Sequence, residues 1–156
     1  MIDQVSPPTA ESAAALLAEL IPQGHGLRVA EVLPPGRMVY AAGPDGLDYA
    51  LGGSVSGPTI FKLVDFAAFL TLNVCVGPMR SAVLAQTSIS FLEPAEPGIL
   101  RIVVHIVHLG TRTAVTDVRV FDSRDWLVAT ASLHFSLPAR ATRHLTPATV
   151  RTAAER

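Results

Sequence analysis

Ser56-Gly57-Pro58-Thr59-Ile60-Phe61-Lys62-Leu63-Val64-Asp65-Phe66-Ala67-Ala68-Phe69-Leu70-Thr71-Leu72-Asn73-Val74-Cys75 is the stretch that decides the fold. From Pro58 to about Cys75, the residues Ile60, Phe61, Leu63, Val64, Phe66, Phe69, Leu70, Leu72 and Val74 fall on every side of a helical period. A helix that is hydrophobic all round is a buried one. The same run is a poor membrane span, which needs roughly 20 mostly apolar residues. Between Ile60 and Val76 it carries Lys62, Asp65 and Asn73, so a core helix is expected and no membrane partner.

What surrounds the helix must cover it. After Gly77-Pro78 the hydrophobic period changes, and Ala82 to Leu92, Leu100 to Leu109, Thr113 to Phe121 and Trp126 to Leu137 are rich in strand formers. They are separated by Glu93-Pro94 with Pro97-Gly98, by Gly110-Thr111-Arg112, and by Asp122-Ser123-Arg124-Asp125. Before the helix, Leu27 to Leu33 and Arg37 to Ala42 flank Pro34-Pro35-Gly36 as a hairpin. Gly43 to Gly57 holds five glycines (43, 46, 52, 53 and 57), as expected of a loop with an unusual backbone path. Upstream, Pro7-Pro8-Thr9 precedes Ala13, Ala14, Leu16, Leu17, Leu20 and Ile21, a short amphipathic helix with a threonine cap that Pro22 and Gly24 end. The order is α-β-β-α-β-β-β-β. It is an α+β arrangement in which a curved antiparallel sheet of about six strands wraps one long helix. One domain is expected over 1–137, with its core about 27–137, followed by a polar tail, 138–156, that carries Arg140, Arg143, Arg151 and Arg156.

Composition bounds the function. The 156 residues include 13 acidic and 12 basic ones, for a formal charge of −1, so the basic field of a nucleic-acid binder is absent. Small molecules or further copies of the chain are the expected partners. Apolar residues make up 49% and charged residues 16% of a chain whose mean hydropathy is +0.41, against an average of roughly 25% charged. Burial between subunits accounts for such an excess, because obligate homodimer interfaces resemble a domain core cut in half. The start Met-Ile-Asp-Gln lacks a basic, apolar leader, which points to a cytoplasmic protein. Cys75 is the sole cysteine, excluding an intramolecular disulfide framework and a cysteine-ligated zinc. The histidines are 25, 105, 108, 134 and 144; strand parity puts His105 and His108 on opposite faces, and no metal site is expected.

Asp65 stands out as a carboxylate in the middle of this apolar helix. Isolated buried charges are costly unless paired, hydrogen-bonded or functional. Lys62, three residues earlier on the same face, would satisfy it as a local ion pair. Alternatively Asp65 is a general base or nucleophile at a pocket wall, its pKa raised by partial burial. Ser56-Gly57-Pro58 opens the helix, and a helix N-terminus offers unpaired N–H groups and a positive dipole end suited to an oxyanion or thioester carbonyl. Proline needs no N–H at the first helical position, which leaves Gly57 as donor. Gly-Pro is equally a common way to begin a helix.

Taken together these segments resemble a known family. Residues 56–65 are similar to the His-Gly-Gly-x-x-x-x-Leu-x-Asp motif of hotdog-fold acyl-CoA thioesterases of the phenylacetate-pathway (PaaI-like) type. Ser88-Ile89-Ser90-Phe91-Leu92-Glu93-Pro94-Ala95 resembles that family's strand ending in an aromatic-x-x-Pro-Ala corner, and His108-Leu109-Gly110-Thr111-Arg112-Thr113 its next hairpin, where CoA is held. The likeness covers roughly 27–137. It implies a hotdog fold and hydrolysis of an acyl-CoA to free acid and CoA, with CoA present as part of the substrate and no separate cofactor. It also implies that Gly57 donates its N–H to the thioester carbonyl and that Asp65 activates water or attacks the carbonyl. Phe91, His108, Gly110, Thr111, Arg112 and Thr113 would contact CoA, Arg112 by guanidinium–phosphate pairing, unless Arg112 is a solvated turn charge.

The chain departs from the pattern at three places. Ser56 and Pro58 replace the motif's first and third residues, Ala50 stands where some members have a polar group, and Leu84 where some place a water-positioning serine. Ser56, Gln86 and Ser88, the last two on one strand face, are the substitutes for positioning water or substrate. The alternative is a non-catalytic hotdog protein that binds an acyl thioester as a sensing or assembly subunit. Phe61, Phe66 and Phe69 suit an acyl or aryl pocket, or plain core.

Gly57 and Asp65 are eight residues apart, about 12 Å along a helix. Both cannot lie about 3 Å from one carbonyl, even with the aspartate leaning back toward the N-terminus. If both act on one thioester they come from different subunits, and the expected assembly is a homodimer or a dimer of dimers.

Overall fold

The computed structural model describes residues 7–21 and 25–139. Helix α1 (Ala10–Leu20) is capped by Thr9, whose hydroxyl accepts the Ser12 N–H while the Ser12 side chain reaches back to the Thr9 backbone. Strands β1 (Leu27–Leu33) and β2 (Arg37–Ala42) form the expected hairpin, helix α2 runs Gly57–Cys75, and β3 (Val83–Phe91), β4 (Leu100–Leu109), β5 (Thr113–Phe121) and β6 (Leu127–Ser136) follow. All six strands join one antiparallel sheet in the order β1-β2-β4-β5-β6-β3. The chain is therefore an α+β hotdog fold with an N-terminal helix added. Pro22, Gly24 and the four tail arginines lie outside the described residues.

The helix packs against the sheet because both present apolar faces. Leu63, Val64, Ala67, Ala68, Leu70 and Leu72 are buried against inward residues of the strands, among them Met38, Tyr40, Ile102, Val104, Val118, Leu133 and Phe135. One polar pair crosses this core: the Tyr40 and Thr71 hydroxyls lie 2.8 Å apart, with Thr71 also donating to the Ala67 carbonyl at 2.8 Å. Apart from Pro58, no residue of α2 is exposed. Its length and hydropathy would permit a membrane crossing, but 67% of its most apolar window is buried inside the fold, so it is the core helix that the pattern predicts. The least covered stripe, Phe61, Lys62, Asp65, Phe66 and Phe69, is half-buried at i, i+4 and i+8 spacing.

One strand-level expectation is overturned. A bulge between Ile106 and His108 inserts a residue into β4, so that His105 pairs with Asp117 and His108 with Val115. Asp117 and Val115 alternate with the inward Thr116 and Ala114, so His105 and His108 share the outer face rather than opposing ones. Simple alternation misassigns the two faces because the ladder is broken at this bulge. No group of three or more metal-ligating side chains occurs among the described residues.

Candidate active site

Helix α2 begins one residue earlier than the sequence suggests. Ser56 is the N-cap, Gly57 the first helical residue and Pro58 the second, where a missing N–H costs nothing either. The Ser56 hydroxyl accepts the Thr59 N–H at 3.3 Å and donates to Thr59 Oγ1 at 2.9 Å, so it is committed to capping. The cap is tied to the preceding loop by Asp48, whose carbonyl accepts the Ser56 N–H at 2.8 Å and whose carboxylate accepts from Thr59 Oγ1 at 3.4 Å. By its position the Gly57 N–H has no intrahelical acceptor, and no turn or cap hydrogen bond uses it. It remains a donor at the positive end of the helix.

A cleft of about 340 Å³ opens at this donor, with Val55, Gly57, Ile60, Phe91, Leu92 and Ala95 in its walls. The Phe91 ring faces Gly57: a methyl there would stand 3.4 Å from Phe91 Cζ. Gly57 is not among the positive-φ glycines, and an added methyl would meet Phe91 only at ordinary contact distance, so neither backbone conformation nor packing within the chain requires glycine here. The far wall is the Glu93–Pro97 corner, where the Ala95 carbonyl accepts the Val55 N–H at 2.9 Å, two residues before Gly57.

Asp65 lies two helical turns away on the half-buried stripe. It makes no hydrogen bond or ion pair among the described residues, and the Lys62 pair is not formed. Burial pushes its carboxyl pKa above the ordinary value. An unpaired carboxylate in an apolar stripe is a proton acceptor of raised basicity.

The other candidates divide by location. Gln86 and Ser88 share a strand face as expected, but their partners His134 and Ser132 alternate with the inward Leu133, so both point away from α2. Within one chain they do not line the Gly57 cleft. Leu84 faces inward opposite Phe135 and packs against the core. Ala50 is exposed on the loop beside Gly57, closed by its N–H to the Ser54 carbonyl. Phe91 is at the cleft. His108, Gly110, Thr111, Arg112 and Thr113 are together on the β4–β5 hairpin, which the Gly110 N–H closes onto the Thr113 carbonyl at 2.7 Å. That hairpin is level with Val83 and Ser136, whereas Phe91 is level with Ala129. The seven steps along β5 from Thr113 to Val120, the residue opposite Ala129, put about 23 Å of strand between the hairpin and the cleft.

Two groups escaped the sequence reading. Asp122 and Arg124, read there as ordinary turn residues, bond to the corner at Pro94 and Glu96. Thr87, on the inward face of β3 opposite Leu133, has a buried hydroxyl without a hydrogen-bond partner. Polar residues in a turn or on a strand read alike whatever they touch in space, so no local signal marked either.

The described residues thus form a hotdog sheet around an apolar helix, with a free N–H and a cleft of about 340 Å³ at the helix start. The model of the thioesterase superfamily matches residues 52–129, half of the chain, and the chain belongs to that family. The chain is 27% identical over 81 residues to a Saccharolobus solfataricus protein provisionally named as an esterase, covering 52% of this chain and 53% of that one. The match thus spans about half the length of that curated relative. The crystal structure of the Escherichia coli PaaI protein of the phenylacetic acid degradation operon matches with a TM-score of 0.67 at 19% identity, covering 85% of this chain and 99% of that one. A hypothetical thioesterase from Streptococcus pneumoniae, solved with coenzyme A, matches with a TM-score of 0.67 at 19% identity over 82% of this chain and 98% of that one.

Proposed function

We propose that the protein hydrolyses an acyl-CoA thioester in a composite site between two copies of the chain. The observation that carries this reading is the pairing of a free Gly57 N–H at an apolar cleft with an unpaired Asp65 of raised pKa on the same helix. The thioester carbonyl oxygen accepts the Gly57 N–H, which stabilises the negative charge that develops there. Asp65 of the second copy takes a proton from water as the water oxygen bonds to the carbonyl carbon. Collapse of the tetrahedral intermediate breaks the carbon–sulfur bond, and the proton held by Asp65 passes to the departing thiolate, releasing acid and CoA.

The sheet supplies a way to assemble such a site. β3 is an edge strand of nine residues with Val83 and Phe91 exposed, and uncovered edges of this length invite pairing. Antiparallel pairing of two β3 edges, centred toward the Phe91 half, turns the second copy's helix end for end. It brings that copy's Asp65 level with Gly57, and its β4–β5 hairpin to the same end as the cleft. The apolar stripe with Phe61 and Phe69 is then covered, in keeping with the hydropathy of the chain. A cytoplasmic setting belongs to the same proposal, since acyl-CoA is its substrate.

Complementation tests the composite site. Gly57→Val and Asp65→Asn chains, each tested alone, should release thiol from a panel of short, long and aromatic CoA esters at least about a hundredfold more slowly than wild type. Refolded together, they should recover activity, because a mixed dimer keeps one site with both groups intact. Mixtures as inactive as the single variants refute the shared site; wild type inactive on every ester refutes hydrolysis and favours a binding subunit.

A further inference from the structure

Asp122 is a fully buried carboxylate in the exposed β5–β6 turn, and it is bonded on both oxygens. Oδ1 accepts the N–H groups of Arg124 at 3.0 Å and Trp126 at 3.3 Å, the ordinary way an aspartate closes its own turn. Oδ2 does something that turn closure does not require. It accepts the Glu96 N–H at 3.1 Å, 26 residues away in sequence, together with Arg124 Nε at 2.9 Å and Nη2 at 2.5 Å. Arg124 Nη2 also donates to the Pro94 carbonyl at 3.1 Å, and the Arg124 guanidinium stacks on the Trp126 ring, 4.1 Å from its centroid.

These bonds grip both sides of Ala95, itself buried, whose carbonyl holds the Val55 N–H. A continuous path runs from Asp122 through Pro94–Glu96 to Val55, Ser56 and Gly57. Gly57 borders the cleft at one end of that path, and Arg124, beside Asp122 at the other, lines an adjoining hollow of about 410 Å³ with Gly52, Gly53, Pro94 and Glu96. We infer that Asp122 and Arg124 are positioning residues for the thioester site, bracing the corner that sets the path of the chain into Gly57. The inference rests on the thioesterase reading and extends it to residues that act through the Pro94–Glu96 corner.

Burial disfavours the charged form of Asp122, but the bonds from Arg124 and from the Glu96, Arg124 and Trp126 amides outweigh it and hold the carboxyl below the usual range. The brace is therefore ionised throughout the neutral range.

Arg124→Gln isolates the brace, since Asp122 Oδ1 still closes the turn. Its kcat on a CoA ester should fall about tenfold with KM within about twofold, because a donor displaced by a fraction of an ångström is felt mainly in the transition state. Arg124→Lys, which keeps a cation and one donor, should restore part of kcat. Amide hydrogen exchange at Val55 should accelerate in Arg124→Gln and in Asp122→Asn, a readout independent of turnover. A folded Arg124→Gln with wild-type kcat overturns the inference, whether or not Val55 exchange changes. Wild type inactive on every ester overturns the thioesterase reading itself, which separates the two failures.

Discussion

The ring of Phe91 covers Gly57, leaving 3.4 Å between Phe91 Cζ and the place a methyl group would take. The contact is an ordinary van der Waals distance, and the backbone at Gly57 is one that any residue adopts. Gly57→Ala should therefore fold, and thermal unfolding should show a stability unchanged or raised by up to about 1 kcal/mol, as expected when alanine replaces glycine in a helix. The methyl nevertheless occupies the space a carbonyl needs beside the N–H. Thioester hydrolysis should drop at least about tenfold in kcat/KM. A full-activity Gly57→Ala would show that the cleft does not receive the carbonyl.

Asp65→Asn separates activity from stability. Removing a general base should lower kcat by about 10²–10⁴-fold. Because burial raises the folded pKa of Asp65, its charge disfavours the folded state above that pKa, and the cost vanishes below the unfolded value of about 3.9. At pH 7 the variant should melt at or above the wild-type temperature, with the difference closing toward pH 4. In wild type, kcat/KM should rise with pH through an acid limb lying above the ordinary aspartate range. An acid limb that persists in Asp65→Asn would assign it to another group.

Arg112→Ala tests the hairpin. Its backbone carbonyl accepts the Leu137 N–H at 2.8 Å, a bond the substitution keeps, so the fold should be unaffected. If the guanidinium meets a phosphate, KM for CoA esters should rise several-fold and KM for short thioesters without a nucleotide should not. Equal effects on both substrates would make Arg112 a solvated turn charge.

Tyr40→Phe probes the core under α2. Burial drives the Tyr40 hydroxyl pKa far above its ordinary value, so it stays neutral and donates to Thr71 Oγ1, which itself donates to the Ala67 carbonyl. Losing the Tyr40 hydroxyl removes its bond to Thr71 and its 3.4 Å contact with Met38 Sδ, and leaves Thr71 with its acceptor. Chemical denaturation should register a loss of about 1 kcal/mol with kcat unchanged. A much larger loss would show that Thr71 does not hold its place without Tyr40.

Element order and most strand ends were legible because each is a local matter. A period of 3.6 with polar interruptions at Lys62 and Asp65 gave α2, and turn residues such as Gly110-Thr111-Arg112 bracketed the strands. Local pattern failed where the ladder itself is irregular. The β4 bulge carries no residue signal that separates it from regular strand, and it moved His105 and His108 onto one face. Facing was lost in the same way for Gln86 and Ser88: alternation told that they share a side, while only the position of α2 told that it is the outer one.

The sequence by itself determined that a buried helix carries a carboxylate in its middle, and that Gly57 and Asp65 stand too far apart on that helix to serve one carbonyl. Both follow from helical period and rise, which the chain cannot escape. Tertiary structure alone decided that Asp65 lacks its Lys62 partner, that Phe91 roofs Gly57, and that Asp122 reaches Glu96 across 26 residues. Those contacts join segments far apart in the chain, and the packing of sheet on helix is what brings them within a few ångströms of one another.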